Sequence, residues 1–134
     1  MTNTRTKGLV FEREVAAAFT AAGFEVRGLE AGGDHLVISH DGHVLHVEAK
    51  RQERMQLPTW LRQQERDCPQ GALRALVFRQ SRRPAYVVEP FEQFVRREAA
   101  IGRILALLVD PAYADAMLTR RQIAEALAER AGHE

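Results

Sequence analysis

The sequence predicts an α/β fold: a mixed central β-sheet flanked by helices on both faces, with extra helices towards the C-terminus. Three observations predict it. Helical and alternating apolar periodicities follow one another in the order helix, strands, helix, strands, helices. Residues 36–38 and 44–47 are nearly continuous in apolar character, as strands buried on two faces are. Asp41-Gly42 separates two β-rich runs, which is the turn chemistry of a hairpin.

The elements follow in order. Phe11, Val15, Ala18, Phe19 and Ala22 recur at helical spacing and Gly23 supplies a stop, so a first helix is expected over residues 8–22. Residues 24–27 alternate apolar and polar, as a short edge or half-buried strand does. Two β-rich runs, 35–39 and 43–51, come after Ala31-Gly32-Gly33. Pro58-Thr59-Trp60 opens a second helix to about Asp67, ended by Pro69 and Gly71. Residues 72–79 and 85–88 read as strands joined through Arg82-Arg83-Pro84, with Leu73, residues 75–78, Val87 and Val88 as their buried part. Pro90 begins a third helix expected to carry Phe91, Phe94 and Val95 inward, and residues 104–109 either extend it or form a separate turn. Asp110-Pro111 breaks the pattern, and residues 111–131 are alanine-rich and helical, with Thr119 and Gln122 at capping-box spacing.

Bulk properties set outer bounds. The 134 residues are the size of one domain, and 46% hydrophobic with 28% charged residues excludes a disordered or fibrous chain. Cys68 is the single cysteine, which excludes an internal disulfide; with no Cys/His cluster of zinc-finger spacing around it, a reducing interior is expected and Cys68 reads as structural or incidental. Residues 1–7 are polar and basic, and no stretch approaches the ~18 apolar residues of a membrane span. A soluble, cytoplasmic protein is the expectation. The net charge of +1 is unevenly spread, because residues 50–83 hold nine basic side chains against three acidic ones, a local balance of +6. A basic segment alone is more often a solvated face than a nucleic-acid site, so a motif must decide it.

The hairpin register supplies the motif. A two-residue loop at Asp41-Gly42 would pair His40 with His43 and set Asp34 opposite Ala49. A three-residue loop, with a type I turn over His40-Asp41 and Gly42 in the left-handed position, pairs Ser39 with His43 and sets Asp34 opposite Glu48. Side chains alternate, so His46, Glu48 and Lys50 share a face that Asp34 joins only in the second register. The bulged hairpin is the expectation. Two adjacent carboxylates suit a hard divalent ion, and an ammonium two residues on can orient a water or balance charge during phosphodiester hydrolysis. Glu12, beside the apolar stripe of the first helix, is a fourth candidate, and Glu14 is its rival. The bland readings are a structural Glu48–Lys50 pair and a solvated Glu12. Against the first, charge on an otherwise apolar strand is costly unless paired or bound to metal.

Lys7-Gly8-x-x-x-Glu12-Arg13-Glu14, Gly32-Gly33-Asp34 and Glu48-Ala49-Lys50, in that order, resemble the PD-(D/E)xK nuclease superfamily over about residues 7–98. Within it the pattern is most similar to Holliday junction resolvases of the archaeal type and to short phage or bacterial resolvase-like proteins. The resemblance implies a restriction-endonuclease-like nuclease core over residues 1–98. Residues 99–134 would be a helical extension that packs on the core or makes a dimer contact. It implies catalysis by Glu12, Asp34, Glu48 and Lys50. Mg²⁺, with Mn²⁺ able to substitute, would be held by Asp34, Glu48, the Ala49 carbonyl and, through water, Glu12. The implied partner is DNA, branched, and the implied assembly is a homodimer, with residues 104–109 and the C-terminal helix as candidate surfaces. The implied setting is DNA recombination and repair. Gly33 replaces the usual proline before the Asp, and the flanking serine of many resolvases is absent from residues 28–33; these departures leave the substrate open. Trp60-Leu61-Arg62-Gln63 resembles the helix after the metal site in phage relatives, where Gln63 would face the site. Lys7, Arg51, Arg54, Arg79, Arg82 and Arg83 would grip phosphates. His35, His43 and His46 lack zinc-ligand spacing and read as strand residues, although His46 shares the face of Glu48.

Two other readings compete with a resolvase. One is a nicking or restriction-type nuclease on the same core. The other is a DNA-binding protein without catalysis, for which residues 119–127 could pass as the first helix of a helix-turn-helix, though too little sequence follows for a recognition helix.

Overall fold

Phe11 and Val15 lie one helical turn apart, and their burial fixes the inner face of α1 (Thr4–Ala21). The helix starts earlier than its apolar stripe and ends in a Schellman motif. Gly23 takes φ 91°, its N–H donates to Thr20 C=O at 3.0 Å, and Phe24 N–H donates to Phe19 C=O at 3.1 Å. The accompanying apolar contact is the edge-on pair Phe19 and Phe24, with ring centroids 5.8 Å apart. The computed structural model describes residues 4–28, 34–39 and 41–109, with Gln122, Glu125 and Ala128.

Five strands form one mixed sheet in chain order: β1 (Glu25–Gly28), β2 (Asp34–Ile38), β3 (Val44–Arg51), β4 (Leu73–Arg79) and β5 (Tyr86–Val88). Only β3 and β4 are parallel, and such a pair needs a crossover; α2 (Leu57–Asp67) provides it. Pro58 sits in its first turn, and Cys68, just before Pro69, is extended and closes it. Alternation along β3 splits the layers. Val47 and Ala49 pack with Val37 and Val77 against Phe11 and Val15 of α1. On the other face Trp60 of α2 is buried near Phe78, ring centroids 6.2 Å apart, and buried Gln64 donates from Nε2 to Ala75 C=O at 2.7 Å. The sheet is therefore covered on both sides, as predicted.

Two burial expectations are corrected. Val87 is 60% exposed, because β5 is a three-residue edge strand with a neighbour on one side only. The chain divides into two compact units, Met1–Glu89 and Pro90–Glu134. In the second unit α3 (Phe91–Val109) is continuous through residues 104–109, and Phe94 N–H donates to Pro90 C=O at 3.0 Å. Phe91, Phe94 and Val95 do not point inward: they are 77%, 42% and 44% exposed. The less exposed stripe is Gln93, Arg97, Ala100, Ile104 and Leu107, rotated around the helix from the aromatic one. Periodicity identifies an apolar face; it does not say which face is covered. The helix-turn-helix and capping-box expectations for 111–131 lie outside the described residues, apart from Gln122, Glu125 and Ala128, which are helical. Among the described residues no helix is long and apolar enough to cross a membrane.

Candidate metal centre

The hairpin turn decides the site. Gly42 N–H donates to Ser39 C=O at 2.9 Å, Ser39 N–H donates to His43 C=O at 3.0 Å, and Gly42 adopts φ 85°. This is the three-residue loop with a left-handed glycine. Asp41 reinforces it, accepting from the Ser39 hydroxyl and pairing with the His43 ring. The resulting register places Asp34 opposite Glu48 and Leu36 opposite His46. Asp34, His46, Glu48 and Lys50 therefore share the face of the sheet that α2 covers.

The four side chains converge. His46 Nε2 lies 3.0 Å from Asp34 Oδ2, and Lys50 Nζ forms an ion pair with Glu48 Oε1. Lys50 also donates to Gln63 Oε1 of α2 at 3.0 Å, so Gln63 does face the site. One ligand atom each from Asp34, His46 and Glu48 lies within 4.8 Å of the others. Glu48 is 1% exposed and His46 0%, and Glu48 Oε2 is buried with no hydrogen-bond partner among the described residues. Burial lifts the Asp34 carboxyl above the usual range. Burial, with the neighbouring Asp34 carboxyl adding to it, pushes Glu48 up to about 7 despite the pull of Lys50. Burial also lowers the His46 imidazole, which favours its neutral form. Two crowded carboxyls, a neutral imidazole and an orphaned carboxylate oxygen fit a divalent cation, which would satisfy that oxygen and remove the repulsion.

The two rival glutamates separate. Glu12 is half-buried on α1, and its charge is among those that raise Asp34. Glu14 is held elsewhere, accepting from Arg79 Nη2 at 2.7 Å on the rim of an apolar groove between α1 and the β4–β5 edge. Ala49 sits between Glu48 and Lys50 with its side chain in the α1 core.

Of the expected DNA-contacting residues, Lys7, Arg51 and Arg79 line one cavity of about 250 Å³ with Thr6 and Val10. It lies on the α1 face of the sheet, at the end of β3 and β4 where Arg51 pairs with Arg79. Arg79 also places its guanidinium 4.6 Å from the centre of the Phe11 ring. Arg54, Arg82 and Arg83 are exposed just beyond that end. Glu53 ties their loops together, accepting from Ser81 N–H at 2.9 Å and, through its carbonyl, from Gln80 Nε2 at 2.8 Å. Sequence reasoning passed over His46. Its one signal was alternation with Glu48, and the closeness to Asp34 needed the strand pairing.

No family model matches the chain, and no curated protein does. Among solved structures the chain is similar to the 1.6 Å structure of Archaeoglobus fulgidus Hjc, a Holliday junction resolvase from an archaeal hyperthermophile. The TM-score is 0.43 and the identity 22%, covering 62% of this chain and 72% of that one.

Proposed function

We propose that this protein is a metal-dependent endodeoxyribonuclease that hydrolyses phosphodiester bonds in branched DNA. The observation that carries the reading is the register pair Asp34 and Glu48, with Lys50 beside them and a buried Glu48 oxygen left unsatisfied. Asp34, Glu48 and the Ala49 carbonyl would hold the cation, with Glu12 acting through water. The cation expected from the sequence is Mg²⁺, with Mn²⁺ able to replace it. When bound, it supplies Lewis acidity towards the phosphate and lowers the pKa of a coordinated water. Lys50, steered by Gln63, places its ammonium where negative charge grows on the scissile phosphate. Lys7, Arg51, Arg54, Arg79, Arg82 and Arg83 hold the flanking backbone.

Branched DNA is the substrate to test first because of the motif resemblance to resolvases. Paired cuts in a four-way junction would require two sites related by a two-fold axis, hence a homodimer. The lone Cys68 fits work in a reducing cytoplasm.

The test is cleavage of labelled four-way junction, nicked duplex, linear duplex and single-stranded DNA with Mg²⁺, Mn²⁺ or EDTA. Wild type is compared with Glu48→Ala and Lys50→Ala. Symmetric cuts in the junction, lost in either variant and in EDTA, are expected. Metal-dependent cutting of other substrates alone would point to a nicking or restriction-type nuclease; tight binding without cutting would make this a DNA-binding protein.

A further inference from the structure

We infer that His46 is a direct ligand of the cation. The centre would then be a mixed nitrogen and oxygen site that takes a first-row transition ion such as Mn²⁺ in preference to Mg²⁺. The inference deepens the proposed nuclease reading and rests on it.

Geometry is the first argument. Donors on neighbouring vertices of an octahedral ion with bonds of about 2.1 Å lie roughly 3 Å apart. His46 Nε2 and Asp34 Oδ2 are 3.0 Å apart, and the Glu48 oxygen closes a triangle no wider than 4.8 Å. Drawing the Glu48 oxygen in from within 4.8 Å to about 3 Å would give three ligands on one side of an ion.

Burial is the second. If His46 only hydrogen-bonded Asp34, buried Glu48 Oε2 would stay without a partner at this centre, among the described residues. Glu48 Oε1 is engaged by Lys50, so Oε2 is the oxygen free to bind, and its side chain is only 2% exposed. A cation shared by the three side chains accounts for that oxygen; a hydrogen bond between His46 and Asp34 does not.

The backbone is the third. Gln64 of α2 donates from Nε2 to His46 C=O at 3.4 Å as well as to Ala75 C=O, pinning β3 at the histidine. The strand that carries the imidazole is thus fixed against α2 before any ion arrives.

The chemistry sets the preference. Mg²⁺ favours oxygen donors and near-ideal octahedral geometry, whereas imidazole suits first-row transition ions. Mn²⁺ accepts carboxylate donors and is the weakest binder of that series, so a preference for it over Mg²⁺ is the least that a histidine ligand should confer.

The experiment uses the full chain without DNA and Mn²⁺ as probe. Pulsed electron paramagnetic resonance is recorded on protein made with ordinary and with isotope-labelled histidine, and titration calorimetry compares Mn²⁺ with Mg²⁺. The expected result is a histidine nitrogen coupling that changes with the label, and Mn²⁺ binding at least about tenfold tighter than Mg²⁺. In His46→Asn, checked for folding by circular dichroism, the coupling and the preference should disappear. Mn²⁺ bound without histidine coupling, or equal affinity for both ions, overturns the ligand assignment and leaves the nuclease reading standing. No binding of either ion overturns both.

Discussion

Glu48 carries a carboxyl that burial and Asp34 push up to about 7 from an ordinary 4.5. A group whose folded pKa is raised contributes stability that is complete below its unfolded value and lost as pH rises through the folded one. The metal-free protein should therefore lose stability at the Asp34–Glu48 pair as pH rises from about 4.5 through about 7. Glu48→Gln should flatten that slope, and thermal melts in EDTA across the range check both; wild type melting at one temperature throughout would contradict the assignment. Cation binding displaces the proton, so apparent metal affinity should rise over the same window. Gln63 offers a separate test. Its Oε1 holds Lys50 Nζ at 3.0 Å, so Gln63→Ala should lower kcat about tenfold with little change in KM. A raised KM at constant kcat would instead make Gln63 a DNA contact.

The β2–β3 hairpin converts one turn into the geometry of the candidate metal centre. Gly42 holds φ 85°, and a Cβ there would meet nothing within 4 Å, so Gly42→Ala costs backbone strain alone. The expected loss is about 1 kcal/mol by denaturant melts, with Mn²⁺ affinity unchanged. If affinity falls too, the turn has let the register slip and carried Asp34 off the Glu48 face. This register could be read from the sequence because loop length, a left-handed glycine and two-residue alternation each allow few solutions. The same logic placed β1 to β5 and the crossover helix α2, whose boundaries are marked by Pro58 and Pro69. His46 was not legible as a site residue, because ligand spacing along one strand carries no information about a partner diagonal to it on the next. Phe91 and Val87 failed for a related reason: apolar periodicity reports what a face could bury, and the neighbours that bury it lie elsewhere in the chain.

Across the first unit, charge is arranged by position along the sheet. Lys50 and Arg51 end β3, Arg79 ends β4, and Arg54, Arg82 and Arg83 stand in the loops just beyond, so cations gather at one end of the parallel pair. Lys7 joins them from α1 on the opposite face to Lys50. With a net charge of only +1 the rest of the chain is acidic in balance, so the positive charge is local to that end of the sheet, beside the carboxylates. On the proposed nuclease reading, Arg82 and Arg83 contact the backbone of bound DNA. Each phosphate contact removed should reduce the slope of log affinity against log salt by roughly 0.9 on duplex DNA. Arg82→Ala combined with Arg83→Ala, in a Glu48→Gln background so that binding is read without cutting, should therefore flatten the slope by nearly two. Because phosphate contacts carry no base information, affinity should weaken equally for junctions of different sequence. An unchanged slope would move the DNA path off the β4–β5 turn and onto the Lys7, Arg51 and Arg79 cavity alone, where Lys7→Ala would then carry the larger effect.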